Sequence, residues 1–341
     1  MNIEKEILGR AVEVVFQRTA RKDCMPQTLA NDLFLESLLY CSSAFRRPAY
    51  QEYVLSTIYG REKQGTIRFS RKQFYTCLPY NLWISTGEEK HLEGFVRFAA
   101  ELRDSIGRDK DGAVVAPDDG RKCRISVLVL QGYATYMART GAITGDTGWF
   151  DEAVNQFGIY RKVLRNEQTG LWHHGRGWAD DPLFVSPGYW NQAQAWCLRG
   201  MAEVLDCFPP SYSGYEKMVS LLNETALSLI TFHGKDGMWH QLTNAPDSYP
   251  ETGGTALIAF YLLKAVKTKW LPEQPFTDIA LKAITAVLKY LNRDGSVSNV
   301  SYFTDPLRTE EGYRRLPAFS GDTQGAAYFL MACSAPFFPP E

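Results

Sequence analysis

Hydrophobic and polar positions along the chain repeat as pairs of helices. In each pair the first segment is apolar on nearly all sides, as in Ala256–Phe260, and the second carries charges on one face, as in Glu216–Glu224. A helix that is apolar all round is typical of a buried position, and an amphipathic helix of a surface position. Five such pairs occur, over residues 33–58, 80–102, 133–164, 197–230 and 256–291.

Helical segments at the two ends of the sequence complete the pattern. Residues 4–20 predict an amphipathic helix with Ile7, Ala11, Val14 and Val15 on one face, and residues 325–335 predict a last apolar helix. Paired with each other, these two segments would form a sixth hairpin. The sequence therefore predicts an all-α protein, an (α/α)6 barrel or six-hairpin toroid of twelve helices, as a single domain over residues 1–341. We expect the following residues on inner helices: Leu128, Ala134, Ala195, Ala256 and Ala326.

The links between hairpins also repeat, as turn signals followed by short extended pieces. They are Asp111–Val114, Gly170–His173, Gly237–His240 and Asp294–Val297. In a toroid such links all lie at one end of the inner helices, which is the natural mouth of a pocket. We therefore expect one opening to be surrounded by residues that lie far apart in the chain, namely His174, Trp190, His240, Gln241 and Asp322.

Composition narrows the classes of function. The chain is 45% hydrophobic and 22% charged, with a net charge of −1, so it lacks the positive excess of proteins that bind nucleic acid or anionic membranes. The first residues show no apolar signal-peptide core, and the apolar run that begins at Ala256 is too short to span a bilayer. Seven scattered cysteines without CxxC spacing favour free thiols in a reducing compartment. We expect a cytoplasmic protein without nucleic-acid or membrane partners.

Residues 170–196 concentrate the candidate chemistry of the chain. This stretch places four tryptophans among His, Arg and Asp residues in a loop that contains Gly and Pro. Such a set predicts a pocket lining, although loop tryptophans that simply cover the core are the alternative. The expected partner is a small molecule, either a sugar or an aromatic or apolar metabolite. The candidate binding residues are Arg124, Trp172, Trp178, Trp190, Gln192, Gln194, Trp196, Trp239, His240 and Gln241.

Histidine could serve here as a metal ligand or in proton transfer. Adjacent His173 and His174 on an extended piece point to opposite sides, and no Cys or further His follows at a ligand spacing. The sequence therefore predicts no metal, and one of the pair, His174, facing the mouth as a hydrogen-bonding or proton-transferring group. Gly253-Gly254 lacks phosphate-loop spacing, so no nucleotide or other cofactor is predicted.

The carboxylates of this region leave alternatives open. Asp180 and Asp181 precede Pro182 and are either catalytic or part of a turn. Glu251 precedes an inner helix, where it either caps the helix or points into the pocket with its charge favoured by the helix dipole. The catalytic candidates are thus His174, Asp180, Asp181 and Glu251. Arg124 ends a basic cluster that is either a solvated loop or a site for a substrate carboxylate.

Three segments together resemble the unsaturated rhamnogalacturonyl and unsaturated glucuronyl hydrolases of the six-hairpin glycosidases. They are Thr140–Asp146, Gly170–Trp196 and Gly237–Ala259. The resemblance extends over nearly the whole chain and implies an (α/α)6 barrel. It also implies hydrolysis without metal or cofactor. In that chemistry an aspartate protonates the C4=C5 double bond of an unsaturated uronic acid, water adds, and the hemiketal collapses. The resemblance further implies that Trp190 and Trp196 stack on sugar and that His174 contacts the substrate.

The chain departs from the family pattern at the catalytic positions. The family's catalytic aspartate falls near Leu128, and no carboxylate occurs from Ile125 to Ala142. A second aspartate is missing from residues 69–83, and the Arg of the family's Arg-Gly-Asn-Gly-Trp run is replaced by Gln192. We expect a hydrolase of an unsaturated or acidic glycoside with a non-standard site and low rates on the usual family substrates. The alternatives are a barrel repurposed for isomerisation or cyclisation of a non-sugar metabolite, and a non-catalytic binding protein.

Overall fold

The computed structural model describes residues 3–20, 25–63, 78–92, 94–116 and 124–338, and these are mainly helical. The helices are α1 (Lys5–Thr19), α2 (Leu29–Phe45), α3 (Pro48–Lys63), α4 (Leu78–Thr86), α5 (Phe95–Ser105), α6 (Val127–Thr144), α7 (Gly148–Leu164), α8 (Asn191–Leu205), α9 (Tyr215–Thr231), α10 (Thr252–Lys267), α11 (Phe276–Val287), α12 (Glu310–Arg314) and α13 (Thr323–Ser334). Short 3₁₀ helices span Glu89–Leu92, Leu288–Tyr290 and Ala335–Phe337.

Twelve of these helices form the six predicted hairpins. The inner helices are α2, α4, α6, α8, α10 and α13, in which α13 packs on α2 and α10, α10 on α8, α8 on α6, and α2 on α4. Outer helices α3, α7, α9 and α11 each pack on the inner helix before them, and α5 packs on α6. The sixth hairpin joins the two ends of the chain, because α1 packs on α13. The five predicted inner-helix residues, from Leu128 to Ala326, all lie on inner helices.

Burial follows the predicted division between inner and outer helices. Every residue of α8 is buried, and in α10 burial extends from Thr252 to Ala265, whereas α9 buries only one face. At the α6–α7 turn, Gly145 adopts a left-handed conformation with φ of 73°, as the predicted break requires. The buried face of the inner helices also includes charged residues, Glu36, Arg139, Arg199 and Glu203, which the apolar pattern does not predict.

The described links before α6, α8, α10 and α13 meet one another at one end of the barrel. Strand β1 (Ile125–Ser126), directly before α6, pairs antiparallel with β2 (Gly175–Arg176) in the link before α8. Strand β3 (Val300–Ser301) pairs antiparallel with β4 (Ala318–Phe319) in the link before α13. A bridge between Trp190 and Leu242 joins the links before α8 and α10. The predicted mouth therefore lies at the N-terminal ends of the inner helices.

Candidate functional site

Trp172 and Trp239 occupy equivalent positions in two links and both contact outer helix α9. The Trp172 indole donates to Thr225 Oγ1 at 3.3 Å, and the Trp239 indole donates to the Leu229 carbonyl at 2.8 Å. Both side chains are fully buried. For these two residues the geometry favours the alternative that loop tryptophans cover the core, and a role of Trp172 in lining a pocket with His174 remains a prediction.

Gln194, also predicted to bind substrate, instead holds the backbone of Trp172. Its side chain accepts from the Trp172 N–H at 2.9 Å and donates to the Trp172 carbonyl at 2.6 Å. Thr255 makes the same two kinds of contact with the backbone of Trp239. Because both oxygen and nitrogen of the Gln194 amide are used in this way, the residue serves to fix the link before α8.

His173 and His240 are a second equivalent pair, and each fastens its own link. Nδ1 of His173 donates to the Ser186 carbonyl at 2.8 Å, and Nδ1 of His240 donates to the Ser248 carbonyl at 2.7 Å. His240 also lies 3.2 Å from Asp236. Its ring nitrogens therefore have protein partners, which favours a structural role over the predicted substrate contact.

His174 points the other way, as adjacent residues on an extended segment do, and meets Trp190 at the mouth. The two ring centroids lie 4.7 Å apart. A 3.1 Å hydrogen bond joins His174 Nδ1 to the Tyr313 hydroxyl, which also lies 2.5 Å from Ser186 Oγ. The Trp190 indole donates to Ser301 Oγ at 3.0 Å. These contacts bring the predicted pair together with three residues that the sequence analysis did not single out.

The electrostatics of this cluster favour neutral groups. His174 is 3% exposed, and burial lowers its pKa to about 3, so the imidazole is neutral at pH 7. Within the described residues no protein group hydrogen-bonds its Nε2. A neutral imidazole with one free nitrogen can exchange a hydrogen bond with a hydroxyl or carboxyl group of a ligand. The geometry is thus compatible with the predicted polar role of His174, and it does not make His174 a cation at neutral pH.

Tyr313 forms the outer wall of the cluster and comes from the short helix α12. Gln241, the repeat equivalent of His174, donates to the Tyr313 carbonyl at 3.3 Å. The ring packs so closely on Gly188 that any Cβ at that position would collide with it. Tyr313 lies in the link before α13, well after its repeated turn at Asp294–Val297, where no repeat feature predicts a contact. Pro187-Gly188 was the available signal that a bulky group closes on the loop before α8.

Glu251 ties the N-terminal ends of two inner helices together. It is fully buried, and its two oxygens accept from Gly253 N (2.9 Å), Gly254 N (2.6 Å), Ser301 N (2.9 Å), Asn191 Nδ2 (3.1 Å) and Gln192 Nε2 (3.2 Å). Burial raises the pKa of the carboxyl, and these hydrogen bonds oppose the rise. Of the two predicted alternatives, the geometry favours the helix cap, with the added function of joining α8, α10 and β3.

Side-chain amides continue the cluster toward α13. Gln192 donates to the Ser301 carbonyl at 3.1 Å and accepts from Gln324 at 3.2 Å. Gln324 also donates to the Tyr328 hydroxyl at 2.9 Å, and Trp196 lies edge-on to the Tyr328 ring at 6.3 Å. Trp196 is buried, and its indole N–H has no partner in the described part of the chain. Gln192 and Trp196 therefore lie on an inner helix and are buried, and their role in substrate binding remains a prediction.

Asp322 caps α13 beside this amide pair. Its Oδ1 accepts from Gly325 N at 2.6 Å, and the side chain remains partly exposed. Burial raises the pKa of the Asp322 carboxyl, although backbone hydrogen bonds from Gly325 and Gln324 oppose the rise. A carboxyl group with a raised pKa and partial access is suited to proton transfer. The sequence pattern had placed Asp322 at the opening without giving it a role.

Asp180 and Asp181, the other two carboxyl candidates, lie on the surface. The Asp180 side chain is 97% exposed, with Arg308 at 3.7 Å. Asp181 accepts from the Leu183 N–H at 2.8 Å within a turn. Because neither carboxyl is desolvated and Asp181 shapes the turn, the geometry favours the turn alternative for this pair.

Arg124 and Trp178 lie together beside the link that carries β2. The guanidinium carbon of Arg124 lies 5.6 Å from the centre of the Trp178 ring. Arg121, Lys122 and Cys123, the rest of the predicted basic cluster, lie outside the described residues. The pair is thus a cation–π contact, and a role in substrate binding remains a prediction for both residues.

The resemblance places one acid on α6 and a second within residues 69–83, and the described first turns of α4 and α6 carry neither. Neither α4, α6 nor α8 carries an acidic residue in its first turn. Leu128, at the family's aspartate position, lies half-buried in the first turn of α6. Of the other stretch that lacks an aspartate, residues 69–77 lie outside the described residues.

Two other features of the described residues bear on the class of site. They contain no group of three or more His, Cys, Asp or Glu side chains arranged to hold a metal ion. None of their helices combines the length and the apolar character needed to cross a membrane.

Comparison with known proteins places this geometry in a family. The model of Glycosyl Hydrolase Family 88 matches residues 28–335. The chain is 28% identical over 200 residues to unsaturated rhamnogalacturonyl hydrolase YesR of Bacillus subtilis, covering 58% of this chain and 56% of that protein. It is 22% identical over 180 residues to an unsaturated 3S-rhamnoglycuronyl hydrolase of an Alteromonas species, covering 51% and 44%. The matches thus span about half the length of these curated relatives.

Solved structures show the same fold. A possible member of the GH105 family from Salmonella enterica superposes with a TM-score of 0.85 at 19% identity, covering 99% of this chain and 95% of that one. Unsaturated glucuronyl hydrolase from Bacillus sp. GL1 superposes with a TM-score of 0.71 at 19% identity, covering 96% and 95%. These likenesses confirm the predicted (α/α)6 fold. The family match and the curated relatives do not favour the repurposed or non-catalytic alternatives. By the family match over most of its length, the chain belongs to Glycosyl Hydrolase Family 88.

Proposed function

We propose that the chain hydrolyses glycosides that end in an unsaturated uronic acid, at the His174–Trp190 cluster. The observation that carries the proposal is the position of this neutral aromatic pair at the N-terminal ends of the inner helices. Converging helix N-termini favour a bound anion, such as the carboxylate of a uronic acid. The family match and the names of both curated relatives, which are unsaturated uronyl hydrolases, support the same class of substrate.

Each residue of the cluster has a part in this proposal. Trp190 offers an indole face to the sugar ring, and His174 Nε2 exchanges a hydrogen bond with a sugar oxygen. The amide N–H groups of Gln192 and Gln324 are used within the protein, and the side-chain oxygen of Gln324 accepts a hydrogen bond from a sugar hydroxyl. Tyr313 orients the imidazole through its bond to Nδ1. Glu251 acts through the others, because it holds Gln192 and Ser301 in place.

Asp322 is the proposed general acid. Among the described residues, carboxyl groups at the starts of inner helices are Asp32, Glu251 and Asp322. Asp32 is bound to Arg61 at 2.7 Å, and Glu251 accepts five hydrogen bonds, whereas Asp322 combines a raised pKa with partial access. The Asp322 proton would pass to C4 of the C4=C5 bond and water would add at C5. The resulting hemiketal would then open to release the second sugar as an alcohol.

A substrate panel tests the activity. Purified protein is mixed with unsaturated oligosaccharides made by polysaccharide lyases, and hydrolysis is followed as loss of the ultraviolet absorbance of the conjugated double bond. We expect measurable but slow turnover, because a well-placed acid contributes about 10²–10⁴ in rate, and the proposed acid Asp322 lies at the start of α13 and not at the family's usual position on α6, which holds Leu128. Absence of turnover on every member of the panel, from protein that is folded by circular dichroism, would overturn the proposal.

A further inference from the structure

Two aromatic rings from one segment of the chain cover the proposed hydrolytic site. The Tyr313 ring lies 6.0 Å from the His174 ring, and the Phe303 ring lies 6.1 Å from the Trp190 indole, measured between centroids. His174 is 3% exposed and Trp190 only 1%. The Trp190 face that the proposed function assigns to the sugar is therefore occupied by protein in this structure.

Both covering rings belong to residues 302–317, the cover segment. It runs from the end of β3 to the start of β4. The antiparallel pairing of these two strands holds the ends of the segment together, as in a compact Ω-loop. A loop with paired ends can move as a unit about those ends and leave the barrel helices in place.

Few buried side chains hold the cover segment against the barrel. All of its residues are described, and among them only Pro306 and Tyr313 are buried. Its helix α12 has five residues, too few to be stable by itself. Segments with few buried contacts open locally at a lower cost in free energy than core helices do. The cover segment is thus the part of the mouth best suited to open.

Polar contacts on both sides of α12 fasten the cover segment to the other links. Arg308 donates to the Trp178 carbonyl at 3.0 Å, and Arg314 lies 2.9 Å from Asp247 in the link before α10. The buried Tyr313 hydroxyl makes the remaining contact, with the imidazole of the site. Exposed polar contacts such as the first two are weak individually, so they close the segment without locking it.

We propose that the cover segment is a gate, which moves off the His174–Trp190 pair to admit the sugar ring. The inference rests on the proposed function, because it concerns access to the same site. In the open state the sugar takes the place of Phe303 on the Trp190 indole. The apparent dissociation constant of a protein that binds only when open is the intrinsic constant divided by the open fraction. Contacts that hold the gate shut therefore weaken substrate binding, which is the reverse of what a substrate contact does.

Labelling of His174 by diethyl pyrocarbonate, measured by peptide mass spectrometry, reports opening in the free protein. The reagent acylates neutral imidazole, and His174 is neutral at pH 7. Asp247→Ala removes the contact to Arg314 from outside the segment, and His174 should then be labelled about two- to fivefold faster. With Arg308→Ala added, labelling should be at least about fivefold faster than in the parent protein. His233, beyond the end of α9, is the internal reference and should keep its rate.

Glu310→Ala is the matched control. Glu310 also pairs with Arg314, at 2.9 Å, but it lies inside the cover segment, so its loss leaves the contact with Asp247 intact. Labelling of His174 in this variant should stay within about 1.5-fold of the parent rate. In the hydrolysis assay, KM of the double variant should fall by the factor by which labelling rises, with kcat unchanged.

Three results would overturn the gate. The first is a parent rate of His174 labelling in the double variant, and the second is equal acceleration by Glu310→Ala. The third is a rise in KM, which would make Asp247 or Arg308 a substrate contact. Absence of hydrolysis on the whole substrate panel is a separate result, because it overturns the proposed function while labelling still decides whether the segment opens.

Discussion

Replacing Glu251 by alanine should destabilise the fold strongly, because one side chain satisfies five buried donors. The five are the N–H groups of Gly253, Gly254 and Ser301 and the side-chain amides of Asn191 and Gln192. Loss of a helix cap alone costs about 1 kcal/mol. Each buried donor left without an acceptor costs about 1–3 kcal/mol before relaxation.

Relaxation of the neighbouring amides lowers the total, and we expect a loss of about 4–6 kcal/mol for Glu251→Ala. For 341 residues, the unfolding entropy corresponds to a fall in melting temperature of roughly 1.4 °C for each kcal/mol. The melting temperature should therefore fall by roughly 6–8 °C. Glu251→Gln keeps one acceptor oxygen and should show about half of this effect.

Differential scanning calorimetry at neutral pH measures the change. Asp181→Ala is the matched control, because Asp181 also accepts from a backbone N–H but lies on the surface. Its free energy of unfolding should change by no more than about 0.5 kcal/mol. If Glu251→Ala melted within about 1 °C of the parent protein yet lost hydrolysis, Glu251 would be an acid and not a structural tie.

Three further outcomes follow from the site. His174→Gln introduces the residue type found at the equivalent position, Gln241. It should reduce the loss of folding free energy that occurs as the pH is lowered below 6.5. Burial lowers the pKa of His174 from 6.5 to about 3, so its contribution is present above pH 6.5 and is lost as the pH falls toward 3. Between pH 7 and pH 4, the free energy of unfolding measured in urea should fall by about 3 kcal/mol less in His174→Gln than in the parent protein. An equal fall in the two proteins would contradict the prediction. Trp190→Phe should raise KM several-fold and lower stability by about 1–2 kcal/mol, since the indole bond to Ser301 is lost, while Trp149→Phe on α7 should leave KM unchanged. Asp180→Asn should leave kcat/KM unchanged in the absorbance assay, and a tenfold loss would return that exposed carboxylate to the site.

The barrel could be predicted because its burial pattern is periodic. An inner helix is enclosed by its neighbouring inner helices and by an outer helix, so it buries all sides, as α8 does. An outer helix buries only one face, as α9 does. The same regularity predicted that the links meet at one end. The short helix α12 is not part of the repeated hairpin pattern, so the pattern could not predict it.

The candidate site was predicted only where it follows the repeat. Alternation along the link placed His174 inside the mouth and His173 outside. Tyr313, 139 positions away from His174, has no local signal that ties it to the imidazole. Trp172 illustrates a related limit of the sequence: composition showed a cluster of tryptophans, but only the fold shows that its indole faces α9.

The buried charged residues of the inner helices could not be predicted for a different reason. Glu36, Arg139, Arg199 and Glu203 are isolated charges along inner helices that are mostly apolar, with Arg199 and Glu203 both on α8. Each on its own is compatible with an exposed position, and their mutual contacts depend on the packing of three different helices. A charge on a helix that the pattern predicts to be inner was the signal available.

The most direct test of the account is the hydrolysis rate of Asp322→Asn on an unsaturated uronyl disaccharide. The variant keeps the shape of the cap, and Asp180→Asn removes an equal charge from the surface as its control. The account predicts that Asp322→Asn lowers kcat at least about 100-fold with an unchanged melting temperature, while Asp180→Asn retains full activity. Turnover by Asp322→Asn within about twofold of the parent protein would contradict the assignment of the acid at the N-terminal end of the barrel.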